Sequence, residues 1–357
     1  MKSKIHALQG FRAFAILSVL TFHYTYRWAD TYGLKGHFEH VLFMIGHFGV
    51  QVFFMISGFI IYSTLQKTYS LKIFLKNRAI RLIVPALILE PIIFVVAKYG
   101  GIQSFSSAAK PLNLLPSITL IDPGYWTMAT RHPFSWVSGV QWTLSIEIAF
   151  YVFAGTLYFL ISKKYFPELL FAGSSVATLL DHIPHESKSN LIHGIDKFLG
   201  LTGFPLFWWF VLGVLIFRIY ENRNSYRNIY LLILSIAWVL LFTYDGYKNN
   251  KDGYSVFWVL FYVTGCISIF LLIARKNQFI VTVIGNKPMV WLGDNSYEFY
   301  LVHEIIGVVL LAFLQKKFNL NSPAFLAMAA ILTVFLFWII SLIRKSIIIP
   351  IQTKLKI

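Results

Sequence analysis

The sequence predicts an all-α, polytopic membrane protein with about ten transmembrane helices. Of its 357 residues, 57% are hydrophobic and only 13% are charged, whereas a soluble domain carries about 25% charged residues. The hydrophobic residues are grouped into runs close to the roughly 20 residues that a membrane-spanning helix requires. The candidate runs are 10–28, 43–65, 79–98, 142–162, 168–183, 199–219, 229–245, 254–274, 295–314 and 323–343.

The distribution of positive charge predicts that both termini lie in the cytoplasm. A formal net charge of +16 would suggest a nucleic-acid partner if the protein were soluble. In a membrane protein, however, Lys and Arg collect in cytoplasmic loops. Roughly two thirds of the 31 Lys and Arg residues fall in the segments on the N-terminal side of the predicted membrane. We therefore expect cytoplasmic termini and no nucleic-acid partner.

The first run carries two side chains that a spanning helix normally avoids, Arg12 and His23. Ionisable residues inside a span are costly and by default indicate function. Steps of about 100° and 1.5 Å per residue place both within about 20° of one helix face and about 16 Å apart along the axis. This face joins an anion-binding end to an imidazole that can carry a proton or an acyl group. We expect His23 to be catalytic.

A carboxylate in the fourth run, Glu147, is the second residue that we expect to be catalytic. It lies in the stretch WTLSIEIAFY and shares a helix face with Tyr151, four residues further on. Glu147 can orient a histidine, accept a hydrogen bond from a sugar hydroxyl or neutralise a charge network. The residues that we expect to bind the substrate lie in the second, fourth and ninth runs: Ser57, Trp142, Ser145, Tyr297 and His303.

Several polar residues also have purely structural interpretations. Arg78 and Arg81, at the start of the third run, either bind an anion or extend to the membrane interface. Structural hydrogen bonds are the better interpretation for His47 and Glu90. The small residue Gly58 is typical of close helix packing in membranes.

Two segments between the runs have an unusual composition. The segment 99–141 is long and holds four prolines and a cluster of aromatic residues. A loop of this length is uncommon without a function, and it predicts a lid, a substrate groove, a re-entrant element or an aromatic belt at the interface. The segment 184–198 contains histidines and carboxylates in a spacing that matches no zinc motif, so no metal site is predicted.

Five motifs, found in the same order, resemble those of acyltransferase family 3, the integral-membrane acyltransferases of bacterial surface carbohydrates. Together they cover nearly the whole chain. They are Arg-x10-His at Arg12 and His23, the GV-x-x-FF-x-x-SGF-x-I element that begins at Gly49, Arg-x-x-Arg at Arg78 and Arg81, W-x-L-S-x-E at 142–147, and L-G-x-x-SY-x-x-YL-x-H at 292–303.

The resemblance implies ten core transmembrane helices in the bacterial cytoplasmic membrane, with acetyl-CoA as the cytoplasmic acyl donor. It implies a glycan or glycolipid acceptor on the far side. By position it makes His23 the catalytic residue and places Arg12, Arg78 and Arg81 near CoA. The chain resembles the stand-alone type, which lacks a fused esterase-like domain.

The chain departs from the family pattern at two positions. Its opening reads LQGFRA where the family usually has LDGLRG, so Gln9 stands in place of an acidic residue. After the W-x-L-S element, where the family usually has paired acids, Glu147 is followed by Ile148. We therefore expect no carboxylate chemistry at position 9.

The expected reaction is acyl transfer across the membrane. Arg binds phosphate through its planar fork of donors, and the three arginines would hold an acyl-CoA at the inner mouth. His23 would then act either as general base on the acceptor hydroxyl or as a nucleophile that carries the acetyl group. The alternative is a transporter or flippase of a lipid-linked or anionic substrate. Such proteins often show paired broken helices in two related halves, and the sequence shows no such repeat.

Overall fold

The computed structural model describes residues 6–183, 190–222, 226–248 and 254–355. These residues form helices and connecting turns without a β-strand, which confirms the predicted all-α class. The first helices are α1 (His6–Thr21), α2 (Val41–Met44), α3 (Gly49–Leu65), α4 (Leu71–Tyr99), α5 (Gln103–Ala108), α6 (Leu114–Thr119), α7 (Pro123–Thr130), α8 (Trp142–Thr156), α9 (Phe166–Asp181) and α10 (Asn190–Thr202). They are followed by α11 (Phe207–Glu221), α12 (Tyr226–Tyr247), α13 (Val256–Ala274), α14 (Gln278–Ile284), α15 (Lys287–Asp294), α16 (Ser296–Val302), α17 (Val308–Phe318), α18 (Ser322–Ile343) and α19 (Ile349–Leu355).

Eight helical segments within the described ranges are long and apolar enough to cross a membrane. They are Val41–Leu65, Leu71–Tyr99, Gly139–Ile161, Phe204–Glu221, Tyr226–Tyr247, Val256–Ala274, Ser296–Phe318 and Ser322–Leu355. The other two predicted runs form shorter helices, because α1 and α9 have 16 residues each. The protein is therefore a polytopic membrane protein, as predicted. The residues 184–189 of the polar segment lie outside the described residues.

Helix α4 differs from its predicted span. The sequence predicts a helix over 79–98 that is broken by Pro85, whereas α4 begins at Leu71 and runs through Pro85 and Pro91 without interruption. Proline removes one backbone hydrogen bond, but membrane helices tolerate this because neighbouring groups satisfy the freed carbonyl. Consequently Arg78 and Arg81 lie on the helix itself.

The long segment 99–141 is folded into three short helices, α5, α6 and α7. Buried polar side chains fix its path. The amide of Asn113 donates to Ser135 Oγ at 2.7 Å and accepts from the Ser135 N–H at 2.9 Å. Ser117 Oγ donates to Gln141 Oε1 at 2.8 Å and accepts from the Val137 N–H. The end of the segment is therefore held in one position.

The chain divides into two compact units. The first comprises the described residues of 1–50, 79–143 and 284–357. Within it, α1 lies at close range to the end of α14 and to α15: a Cβ on Gly10 would collide with the backbone of Ile284 in α14, and a Cβ on Gly293 in α15 with that of Gln9. Only glycine permits this approach of two helix backbones.

The second unit comprises the described residues of 51–78 and 144–283. Helices α3 and α11 cross within it through two glycines. A Cβ on Gly58 would meet the backbone of Phe210, and a Cβ on Gly213 would meet that of Met55. The predicted packing role of Gly58 is thereby confirmed.

Candidate active site

His23 lies in a π-helical turn, Phe22–Arg27, that directly follows α1. The turn is closed by the N–H of Trp28, which donates to the His23 carbonyl at 3.2 Å. Such single π turns occur frequently at functional sites. The prediction of a common face for Arg12 and His23 assumed regular α-helical steps, and these end at Thr21.

Hydrogen bonding fixes which nitrogen of His23 carries a proton. Nδ1 lies 2.9 Å from the carbonyl oxygen of Val19. A carbonyl only accepts hydrogen bonds, so Nδ1 is the donor and the neutral ring keeps its lone pair on Nε2. The side chain is 12% exposed. His23 is thus held with one nitrogen available for chemistry.

Glu304 is the carboxylate that faces this nitrogen. Its Oε1 lies 4.0 Å from His23 Nε2, and its side chain is only 6% exposed. Its Oε2 accepts from Ser138 Oγ at 2.8 Å and from the Val140 N–H at 3.3 Å. One carboxylate oxygen is therefore fixed by the end of the 99–141 segment, and the other is directed to the imidazole.

His303 packs against the catalytic candidate. The rings of His23 and His303 are 4.9 Å apart and meet edge to face. His303 is fully buried, with Nδ1 2.7 Å from the Tyr300 carbonyl oxygen, and its Nε2 has no hydrogen-bond partner among the described residues. It begins a second π-helical turn, His303–Gly307. The hydroxyl of Tyr24 donates to the His303 carbonyl at 3.1 Å and so joins the two turns.

A second carboxylate cluster lies in the second unit. Glu147 Oε1 accepts from Ser57 Oγ at 2.6 Å and also from the hydroxyl of Tyr151. The predicted shared face of Glu147 and Tyr151 is confirmed by this contact. The guanidinium of Arg78 lies 5.9 Å from the ring centre of Tyr151, within the range of a cation–π interaction, and donates to Thr64 Oγ1 at 2.8 Å.

The other predicted anion-binding residues lie in the first unit. Arg12 Nη1 donates to Gln9 Oε1 at 3.5 Å, so an amide accepts from Arg12 at the position where the family has a carboxylate. Arg81 interacts electrostatically with Glu298, and Arg344 Nε donates to Glu298 Oε1 at 3.2 Å. Arg81 and Arg344 thus both interact with the carboxylate of Glu298.

The remaining predicted residues have varied environments. Tyr297 donates its hydroxyl to the Leu82 carbonyl at 2.8 Å and so ties α16 to α4. Trp142 is 41% exposed at the start of α8, whereas Ser145 is buried further along it. The imidazole of His47 bonds to the Met44 carbonyl at 2.8 Å, as expected for a structural histidine. Glu90 is buried beside Gln141, but neither of its carboxylate oxygens has a hydrogen-bond partner among the described residues, so the expected structural hydrogen bond is not found.

Sequence reasoning missed two residues of the first-unit cluster. Glu304 was visible as an ionisable residue within the ninth run, but no local periodicity pairs it with His23. Ser138 lies in a loop, where a serine gives no signal of its own. The first unit therefore contributes His23, His303 and Glu304, while Ser57 and Glu147 form their own cluster in the second unit.

The comparison with protein families identifies the family to which this chain belongs. The model of acyltransferase family 3, described as "Acyltransferase domain", matches residues 5–342. The chain therefore belongs to this family.

Individual relatives are more distant. A Staphylococcus aureus (strain COL) protein, named as a candidate O-acetyltransferase, is 24% identical over 330 residues, which cover 84% of this chain and 50% of the relative. YrhL of Bacillus subtilis (strain 168), named as a candidate peptidoglycan O-acetyltransferase, is 24% identical over 332 residues, 84% of this chain and 48% of the relative. Nodulation protein 10 of Rhizobium leguminosarum bv. viciae is 30% identical over 190 residues, half of each chain. The chain spans about half the length of these curated relatives, and no solved structure matches it.

Proposed function

We propose that the protein is a membrane O-acyltransferase of the bacterial cytoplasmic membrane. It transfers an acetyl group from cytoplasmic acetyl-CoA to a hydroxyl of a cell-surface or lipid-linked glycan on the far side. Family membership and the names of the relatives support the acyl transfer and the glycan acceptor. The observation that carries the proposal is the Nε2 atom of His23, which faces Glu304 while Nδ1 is held by the backbone.

The donor would be held by arginines. The phosphates of CoA are anionic, and charge-assisted hydrogen bonds to guanidinium are strong and directional. Arg81 and Arg344 both interact with Glu298, and two guanidinium groups in one place support a phosphate subsite there. Arg12, which donates to the neutral amide of Gln9, would add a further donor. Arg78 stays a predicted contact of CoA.

Two routes use the same atoms of His23. In direct transfer, Nε2 takes the proton of the acceptor hydroxyl while its oxygen attacks the thioester carbonyl; the C–O bond forms, the C–S bond breaks and the CoA thiolate takes up the proton. In the stepwise route, Nε2 attacks the thioester carbonyl; the N–C bond forms, the C–S bond breaks and the CoA thiolate leaves. The acceptor oxygen then attacks the acetyl carbonyl, the C–O bond forms and the C–N bond to His23 breaks. Both routes begin from a neutral ring and place positive charge on it.

Glu304 would stabilise that charge. Its Oε1 is 4.0 Å from Nε2, and its other oxygen is already held by Ser138 and Val140. A carboxylate fixed in advance stabilises developing charge without reorganising during the reaction. In the stepwise route the same oxygen can accept the proton of the acceptor hydroxyl.

The test uses purified protein in lipid nanodiscs with radiolabelled acetyl-CoA and a mixed glycan extract. We expect the wild type to release CoA and label the glycan. We expect His23→Ala to lose about 10²- to 10⁴-fold in rate, the usual contribution of a positioned acid–base group, and still to bind acetyl-CoA. The matched control is His47→Ala, which removes a nearby histidine with a structural hydrogen bond and should keep most of the rate.

Two outcomes contradict the proposal. A His23→Ala variant with unchanged activity would remove His23 from the chemistry. A folded wild type that neither binds acetyl-CoA nor releases CoA would favour the transporter, since a transporter requires no thioester.

A further inference from the structure

An open pocket of about 740 Å³ lies in the first unit. Three segments line it: residues 31–32 after the first π-helical turn, residues 100–103 after α4, and the 309–319 part of α17 and its C-terminal end. Its volume lies within the range of small-molecule binding sites, about 300–1,000 Å³. The pocket is therefore large enough for one or two sugar rings.

Two buried polar atoms on the pocket wall lack a partner. The hydroxyl of Tyr32 and Oε1 of Gln315 have no hydrogen-bond partner among the described residues, although Tyr32 is only 5% and Gln315 only 9% exposed. The other end of the Gln315 amide is used, because Nε2 donates to the Leu320 carbonyl at 3.1 Å. Buried polar groups are almost always hydrogen-bonded, so two unpaired atoms on residues that line one cavity favour a ligand that pairs with them when it enters.

The rest of the lining defines the chemistry of that ligand. Thr31, Gln103 and Asn319 add hydroxyl and amide groups, and Phe313 exposes most of its ring. Lys316 is the cation of the lining, and the described lining residues include no carboxylate. Neutral hydrogen-bonding groups suit sugar hydroxyls, and an aromatic ring suits the apolar face of a sugar ring. The lysine suits an anionic group on the same glycan.

The pocket adjoins the His23 cluster through Tyr32. Burial raises the pKa of Tyr32 well above its ordinary value, and the nearby Tyr24 and Glu304 act in the same direction. The hydroxyl of Tyr32 therefore stays protonated and can donate. Tyr24 in turn bonds to the His303 backbone and packs against Gly307. Tyr32, which lines the pocket, thus lies within electrostatic range of the carboxylate that faces His23.

The three lining segments also share one side of the membrane. Helix α1 runs from the N-terminus towards residues 31–32, and α4 and α17 both end at the pocket. With a cytoplasmic N-terminus, as the charge distribution predicts, the pocket opens on the far side. This is the side from which a surface glycan would approach.

We infer that this pocket binds the glycan acceptor, with Tyr32 donating to and Gln315 accepting from its hydroxyls while Phe313 packs against a sugar ring. The inference rests on the proposed function, since it assigns the acceptor of that transfer to a site. It adds a binding site that the motifs of the sequence do not contain.

The test fills the pocket with a side chain. Ala312→Trp places an indole in the cavity, and Leu314→Trp is the matched control, because Leu314 lies on the same helix but does not line the pocket. The probes are radiolabelled muropeptides and a radiolabelled extract of bacterial surface glycans. We expect Ala312→Trp to lower kcat/KM for the acceptor by at least about tenfold, a loss comparable to one good contact. CoA release without acceptor should stay within about twofold of wild type in both variants.

A second variant covers the case in which Ala312→Trp does not fold. Tyr32→Phe removes only the hydroxyl, so KM for the glycan should rise about tenfold. Its Tm should stay equal or rise, because a buried unpaired group is lost. A hydroxyl with a purely structural role would give the opposite result, with a lower Tm and an unchanged KM.

The outcomes separate this inference from the proposed function. Normal glycan labelling by Ala312→Trp and Tyr32→Phe overturns the pocket and leaves the transferase intact. If the wild type releases no CoA, the proposed function fails. The pocket is then tested by direct binding of the labelled glycans to the wild type and to Ala312→Trp. Binding to the wild type that Ala312→Trp abolishes would support the pocket as a glycan site. A wild type that binds no glycan in the panel overturns it.

Discussion

Glu304 and Glu147 are both held by hydroxyl donors within helices predicted to span the membrane, yet their surroundings differ in kind. Ser57 and Tyr151 both donate to Glu147 Oε1, so the known partners of this carboxylate are neutral. Glu304 has one oxygen held by Ser138 and Val140, and its other oxygen lies 4.0 Å from an imidazole. The difference teaches that hydroxyl donors can hold a half-buried carboxylate such as Glu147 in place, whereas a titratable partner gives the buried Glu304 a chemical role.

The largest difference in the rate of acyl transfer is expected between the variants Glu304→Gln and Glu147→Gln. Both substitutions keep the shape and remove the charge. Glu304→Gln should lower the rate of acyl transfer by about 10²- to 10³-fold, a loss typical of a missing electrostatic stabiliser. Glu147→Gln should lower it by about tenfold or less if Glu147 serves mainly to bind the acceptor. Rates of CoA release from the two variants in nanodiscs measure the difference.

Circular dichroism and retained binding of acetyl-CoA would serve as controls for folding. A greater loss in Glu147→Gln than in Glu304→Gln would reverse the comparison. It would support the prediction, made from the sequence, that Glu147 is catalytic.

The sequence predicted one of these carboxylates in its local setting and missed the other. The i, i+4 spacing placed Tyr151 beside Glu147, because helical neighbours are fixed by the period of the helix. Glu304 faces His23 only through the tertiary fold, and the two lie near opposite ends of the chain. Local periodicity contains no information about such a pair.

The same limit of local sequence patterns explains the other differences between the predicted and the observed structure. Hydropathy predicted the membrane helices, because the membrane requires long apolar runs. Gly58 indicated close helix packing, and the structure shows that the crossing is between α3 and α11. The π-helical turns at Phe22–Arg27 and His303–Gly307 have no periodic signature in the sequence. Proline predicted a break that α4 does not have, because the cost of Pro85 depends on the neighbours of the helix.

The hydroxyl donors of the two carboxylates are also expected to differ in their effect on kcat. Ser138→Ala removes the shorter bond to Glu304 Oε2 and should lower kcat about tenfold with an unchanged KM for acetyl-CoA, since the carboxylate is no longer fixed. Ser57→Ala removes the equivalent donor from Glu147 and should change kcat by less than about threefold. Steady-state kinetics of both variants decide this, and equal losses in kcat would contradict a special role for the Glu304 donors.

A smaller effect is expected on stability alone. Tyr151→Phe removes a hydroxyl that donates to Glu147 and should destabilise the protein by about 1.5–3 kcal/mol, the usual value for a hydrogen bond to a charged group. The change should appear as a lower Tm in detergent. The control is Tyr297→Phe, which loses a hydrogen bond to a neutral carbonyl and should cost about 1 kcal/mol. A larger loss in Tyr297→Phe than in Tyr151→Phe would contradict the stronger hydrogen bond to Glu147.

The smallest effect on the kinetics is expected at position 9, where Gln9 stands in place of the acidic residue of the family. Gln9 accepts a hydrogen bond from Arg12 at 3.5 Å, and Gln9→Glu would replace this neutral acceptor with a charged one. The new carboxylate would compete with the phosphates of CoA for the guanidinium. Because Arg12 is only one of several expected phosphate contacts, KM for acetyl-CoA should rise by about threefold or less while kcat stays unchanged. Arg12→Gln, which removes the cation itself, should raise KM further, and an equal or smaller rise in that variant would show that Arg12 does not contact the donor.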